Sequence, residues 1–138
     1  MNVYYSGNIT LYGFRNFLYN RSIVFHARQR GLERFMKKNG ISHGELSTLC
    51  LELSMLLHAG VGTGDALSLL AEESDPEYKA MLLDMAEEVD GGAALSDAMR
   101  RAEGFPVYVC GLVEVGERAG RTEEALAALS RYYEDRVR

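Results

Sequence analysis

A chain of 138 residues, 47% hydrophobic and 25% charged, with two prolines, is one domain's worth of ordinary globular sequence. No run approaches the ~18–20 apolar residues that cross a bilayer, and MNVYYSGNIT has neither the basic start nor the apolar core of a signal peptide. The net charge of −5 hides an asymmetry, seven Lys/Arg against one Glu in residues 1–40 and eight against nineteen Asp/Glu in 41–138, and so acidic a main body argues against nonspecific nucleic-acid binding.

Residues 1–13 read as an extended or irregular lead with a turn at Ser6-Gly7-Asn8. From Phe14 to Asn39 a helical stripe is drawn by Phe14, Phe17, Leu18, Phe25, Leu32, Phe35 and Met36, interrupted by Arg21 and Arg28 and weakened by Gly31. Its basic residues, Arg28, Arg30, Arg34, Lys37 and Lys38 among them, suit a solvated helix face, a membrane-surface helix or a partner or nucleic-acid arm. Asn39-Gly40 breaks the chain there, so residues 1–40 are expected to form an extension and 41–138 the main domain.

Ser42-His43-Gly44-Glu45 is a capping box, the serine oxygen accepting from the third helical N–H while the glutamate reaches back. The helix it starts runs through Leu46, Leu49, Cys50, Leu53, Leu56 and Leu57 and stops at Gly60. Thr63 is expected to cap a helix through Ala66, Leu67, Leu70 and Ala71, and Asp75-Pro76 to start one through Tyr78, Met81, Leu82, Met85, Ala86 and Val89 that ends at Gly91-Gly92. A short helix spans about Leu95 to Glu103, and Thr122 with Glu123 and Glu124 opens a last one through Leu126, Leu129, Tyr132, Tyr133 and Val137. No strand pattern appears after residue 14. The fold class is all-α, a six-helix bundle of antiparallel helix hairpins. The echo between Ala59-Gly60…Thr63…Ala66-Leu67 and Ala119-Gly120…Thr122…Ala125-Leu126 reads as helix starts converging on one chemistry, a hydroxyl cap at Thr63 or Thr122, an acid in the first turn and then inward Ala and Leu, with a pseudo-symmetric bundle of helix hairpins as the sharper alternative.

Phe105 to Gly120 is apolar around nearly its whole circumference up to Glu114, which predicts a central helix covered by its five neighbours. Its last turn changes character. Glu114, Glu117 and Arg118 gather around Gly116, a residue that weakens a helix by roughly 1 kcal/mol relative to Ala, and Gly120 ends the helix. A glycine kept there implies close packing or a partner at the main chain. The spacing favours pairing of Glu114 with Arg118 and of Glu117 with Arg121. A lone carboxylate pair supplies too few oxygens for calcium, and no nucleophile or phosphate-binding loop accompanies it, so neither catalysis nor a cofactor is expected. Gly60-Val61-Gly62-Thr63-Gly64 lacks the Lys-Ser/Thr ending of a phosphate loop. His26, His43 and His58 have no metal-ligand spacing, and Cys50 and Cys110 read as reduced, buried thiols.

Residues 45 to about 135 resemble the cytoplasmic domain of the type II secretion system F family, the platform proteins of type II secretion, type IV pilus assembly and competence pseudopili. The resemblance is carried by Leu53-Ser54-Met55-Leu56-Leu57-His58-Ala59-Gly60-Val61, by Ala66-Leu67, by Gly92-Ala93-Ala94-Leu95-Ser96-Asp97-Ala98-Met99, by Phe105-Pro106, and by Gly116-Glu117-Arg118-Ala119-Gly120, which is similar to the family's Gly-Glu-x-x-Gly signature. Ala94 stands for a serine of the family pattern, Thr122 for a leucine and Gly62 for a common proline. The resemblance implies a non-enzymatic domain on the cytoplasmic side of the inner membrane. It would self-associate, as a homodimer, and bind a hexameric assembly ATPase and other membrane components, in a longer protein that continues into transmembrane helices. Glu114, Gly116, Glu117, Arg118 and Gly120 would be the partner-binding turn, with no metal and no nucleic acid. A free-standing helical adaptor of the tetratricopeptide kind is the alternative, opposed by an irregular echo where such repeats recur every ~34 residues. An enzyme using Glu114 and Glu117 is the third reading.

Overall fold

The computed structural model describes residues 40–138. Six helices, α1 (His43–His58), α2 (Thr63–Glu72), α3 (Pro76–Asp90), α4 (Leu95–Arg101), α5 (Val107–Arg118) and α6 (Thr122–Val137), account for all the regular structure among the described residues, so the all-α class holds. The expectations for residues 1–39 lie outside the described residues.

The first helix begins as its sequence requires. Ser42 N–H and Oγ–H donate to Glu45 Oε2 at 2.9 and 2.7 Å, and Glu45 N–H donates to Ser42 Oγ at 3.3 Å, which closes the capping box. Its end recurs twice more in the chain. At Gly60, Gly92 and Gly120, all with positive φ, the next residue's N–H reaches back to Leu56, Glu88 and Gly116 respectively. This Schellman turn needs a left-handed residue, and it joins α1 to α2, α3 to α4 and α5 to α6. The sequence echo is therefore a repeated way of leaving one helix and entering the next.

The core is assembled on α1. Leu46, Cys50 and Leu53 are fully buried, with Leu49 and Leu56 nearly so, and they meet Leu126, Leu129 and Tyr133 of α6. Ser47 Oγ–H donates across that seam to the Ser130 carbonyl at 3.0 Å. The second to fifth helices, α2 to α5, pack mainly on their chain neighbours, while α1 and α6 pack mainly on each other through the broadest seam of all. A stacked repeat array has contacts only between successive repeats, so this closed circuit disfavours the tetratricopeptide alternative.

Three expectations need correction. Residues 107–118 do not form an enclosed centre: Val109, Cys110, Val113 and Gly116 are buried, but Val107, Tyr108 and Val115 are exposed, and α5 packs principally on α4 and α6. An all-apolar circumference shows what a helix could bury, and here only two neighbours arrive to bury it. Thr63 and Thr122 are first helical residues instead of caps, behind Gly62 and Arg121. The fourth helix stops at Arg101, and Glu103 takes a positive φ just ahead of Gly104.

Candidate functional site

The corner where α4, α5 and α6 meet is built around Gly116 and Glu117. Helix α4 opens with Ala94 at its N-cap and makes no side-chain cap bond of its own, leaving its first N–H groups in need of acceptors. Glu117, a full helix away in sequence, supplies them. Leu95 N–H donates to Oε1 at 2.6 Å, while Ser96 N–H and Oγ–H donate to Oε2 at 3.2 and 2.6 Å. The negative carboxylate also faces the positive end of the helix dipole.

Gly116 lets that happen by bringing α5 against the start of α6. A Cβ on Gly116 would stand 2.6 Å from the Ala125 Cβ, 3.1 Å from the Arg121 carbonyl oxygen and 3.3 Å from the Thr122 Cα. Gly120 then turns the chain, with Arg121 N–H on the Gly116 carbonyl at 2.7 Å. Gly116, Glu117 and Gly120 of Gly116-Glu117-Arg118-Ala119-Gly120 therefore have separate duties: close approach, capping of a neighbour, and reversal.

The charged groups outside this brace are joined to one another. Arg118 pairs with Glu114 at 2.5 Å as its spacing predicts, but Glu117 does not take Arg121, which pairs with Glu124 instead. Arg100 of α4 bonds both Asp97, at 2.9 Å, and Glu114. The Arg100 guanidinium holds the Glu114 carboxyl below its usual range. Exposure sorts the residues: Gly116 is buried, Glu117 is half-buried, and Gly120 and Arg118 are exposed, the Arg118 side chain at 79%.

The corner thus presents mutually neutralised charges and turn backbone, an arrangement suited to recognition. Among the described residues no group of three or more His, Cys, Asp or Glu is placed to hold a metal ion, and no helix is long and apolar enough to cross a membrane. The basic candidates Arg28, Arg30, Arg34, Lys37 and Lys38 lie outside the described residues. Sequence reasoning missed Ser96 and Arg100 as partners of Glu117 and Glu114. Ala94 was the available signal, since a helix whose N-cap has no side-chain oxygen must find one elsewhere.

The family described as type II secretion system (T2SS), protein F matches residues 49–138. The chain is 30% identical over 112 residues to type II secretion system protein F of Vibrio cholerae, covering 80% of this chain and 27% of that protein. It is 33% identical over 88 residues to type 4 fimbrial assembly protein PilC of Pseudomonas putida, covering 62% and 22%. It is 32% identical over 82 residues to the protein transport protein HofC homolog of Escherichia coli, covering 58% and 20%. The chain spans about a quarter of the length of these curated relatives.

Proposed function

This chain belongs to the type II secretion system protein F family, and on that footing we propose that it is a non-enzymatic interaction domain of a platform protein for secretion or type IV pilus assembly. In this reading it lies on the cytoplasmic side of the inner membrane, self-associates, and couples an assembly ATPase to pilin-like subunits. The relatives' names in secretion, fimbrial assembly and protein transport support that role.

The observation that carries the reading is the division of labour in the corner. Gly116 and Glu117 are occupied in holding α4, α5 and α6 together, whereas Arg118 and Gly120 face outward beside Glu114. A rigid corner with exposed charge and turn backbone is a preorganised contact, which lowers the cost of ordering on association. Arg118 and Gly120, with Glu114 at their edge, would touch the partner, and Gly116 and Glu117 would hold them in place.

The test is Arg118→Glu in the full chain, titrated against the assembly ATPase of the same system and examined by light scattering for self-association. Weaker binding or dissociation is expected, with only the small fall in melting temperature that losing one exposed ion pair brings. Both associations unchanged would remove the corner from the contact.

A further inference from the structure

The outer side of α5 is apolar where a surface helix should be polar. Val107 is 90% exposed, Val115 62% and Tyr108 52%. Val107, Gly111 and Val115 succeed one another at intervals of four residues and share one stripe. Scattered exposed apolar residues are ordinary, but a continuous stripe marks a contact. The helix also carries two glycines, Gly111 and Gly116, and each weakens it relative to alanine. Only one has a reason within the chain: a Cβ on Gly116 would collide with Ala125, whereas a Cβ on Gly111 would meet nothing within 4 Å. A helix face without a Cβ lets another backbone approach closely.

The order of residues along the stripe indicates what covers it. Val107 and Val115 stand four residues to either side of Gly111, and Tyr108 and Glu114 three residues to either side. At 3.6 residues per turn all four lie within about 60° of Gly111 around the helix. A two-fold axis through Gly111, perpendicular to the helix, therefore lays Val107 on Val115 of a second copy and Tyr108 beside Glu114 of that copy, each twice over. Tyr108 is already braced against Tyr132, with ring centroids 5.2 Å apart, and a carboxylate can accept from a phenol as well as from its arginines. Arg118, its side chain 79% exposed, extends toward the start of the second copy's helix, which the exposed Glu103 precedes. A parallel pair would instead set Glu114 against Glu114 and Arg118 against Arg118, and like charges across a contact are costly. The face is complementary to itself in the antiparallel sense alone.

We propose that two copies of this chain pair through the outer face of α5, the helices crossing antiparallel at Gly111. The pairing rests on the self-association put forward above and gives it a face, running from Arg118 and Glu114 along the helix to Val107. One helix against its twin buries less than the ~1,600 Å² of a standard interface, so the pairing is reversible and depends on concentration.

Sedimentation of the full chain over a range of concentrations shows whether it associates, and cysteines then report how. Val107→Cys chains mixed with Val115→Cys chains under mild oxidation should form a mixed disulfide dimer, at least tenfold more than either variant alone, while Cys50 and Cys110 are buried and stay out of the reaction. Gly111→Glu supplies an independent measurement, because glutamate is the better helix former and the space beside position 111 is open. The dilute variant should melt no lower than the parent, while the dissociation constant of the pair rises at least tenfold. Disulfides from each variant alone in place of the mixed one, or a dissociation constant that Gly111→Glu leaves unchanged, overturn the antiparallel pairing and leave self-association standing. A chain monomeric at every concentration overturns both. Protection of Val107→Cys and Val115→Cys from maleimide in the dilute monomer assigns the face to another part of the same chain, and protection only with anionic phospholipid vesicles assigns it to a lipid surface; either result overturns the pairing as well.

Discussion

The Glu117 carboxylate accepts from both the amide and the hydroxyl of Ser96, at 3.2 and 2.6 Å. A residue near the end of α5 thus does for α4 what a cap within its own chain segment would normally do. Seven residues make a marginal helix in isolation, so α4 depends on this external acceptor and on the burial of Leu95, Ala98 and Met99.

Replacing Glu117 by Ala should therefore destabilise the fold, by about 1–3 kcal/mol, because buried donors lose their acceptor. Ser96→Ala removes one of the three bonds and should cost less. The two losses should be non-additive by about 0.5–1.5 kcal/mol in a double-mutant cycle of urea denaturation. Additive losses would mean that the pair does not act as a unit.

Gly116→Ala sets two effects against each other. Alanine gains up to ~1 kcal/mol of helix propensity, but its Cβ would stand 2.6 Å from the Ala125 Cβ and 3.1 Å from a backbone oxygen. Backbone cannot step aside as a flexible side chain can, and overpacking typically costs about 1–3 kcal/mol. A net loss of stability is expected in thermal or chemical denaturation. Ala125→Gly in the same chain should recover part of it, after allowance for its own helix cost.

Helix ends are well legible in this sequence, because Ser42 with Glu45, Pro76, Gly60, Gly92 and Gly120 act through local geometry. The outward face of α5 is not legible. Val107, Tyr108 and Val115 have the chemistry of a core, and only the number of neighbouring helices decides whether they reach one. Glu117 illustrates the same limit at the site. Its position in the chain makes Arg121 the nearest cation at favourable spacing, yet three donors at the start of α4 outcompete a solvated arginine. Gly116 was readable as a close approach, but Ala125 and Arg121 as what it approaches were not.

Cys50 sits on the core side of α1, and burial pushes its thiol up to about 12. The thiolate is the nucleophile, so Cys50 should resist iodoacetamide in the folded chain and react in proportion to the population of the unfolded form. The linkage has a definite sign. An unfolded thiol ionises near pH ~8.5, so the contribution of the buried neutral form is intact below that pH and is lost as pH rises toward 12. The alkaline fall in stability should be shallower in Cys50→Ala than in the parent, even though the variant is less stable at neutral pH from the cavity it leaves.

Glu114 gives the opposite sign. Arg100 donates to its carboxylate and Arg118 adds a second cation, and Arg100 foremost depresses its pKa in the folded chain. A depressed carboxyl favours folding above its unfolded pKa, about 4.3 for glutamate, and that contribution disappears as pH falls through the lower folded value. Exposed ion pairs are weakened by salt, so the effect should be clearest at low ionic strength. Melting temperatures followed from neutral pH to about pH 3 should therefore fall more steeply in the parent than in Glu114→Gln, and added salt should draw the two curves together. Arg100→Gln should flatten the acid limb in the same way, because it removes the group that depresses Glu114 while leaving the carboxylate in place. Parallel acid limbs in all three chains would mean that the Asp97–Arg100–Glu114–Arg118 chain holds no preference for the charged carboxylate, and that of the polar contacts between α4 and α5 only those of Glu117 stabilise the fold, beside the apolar packing.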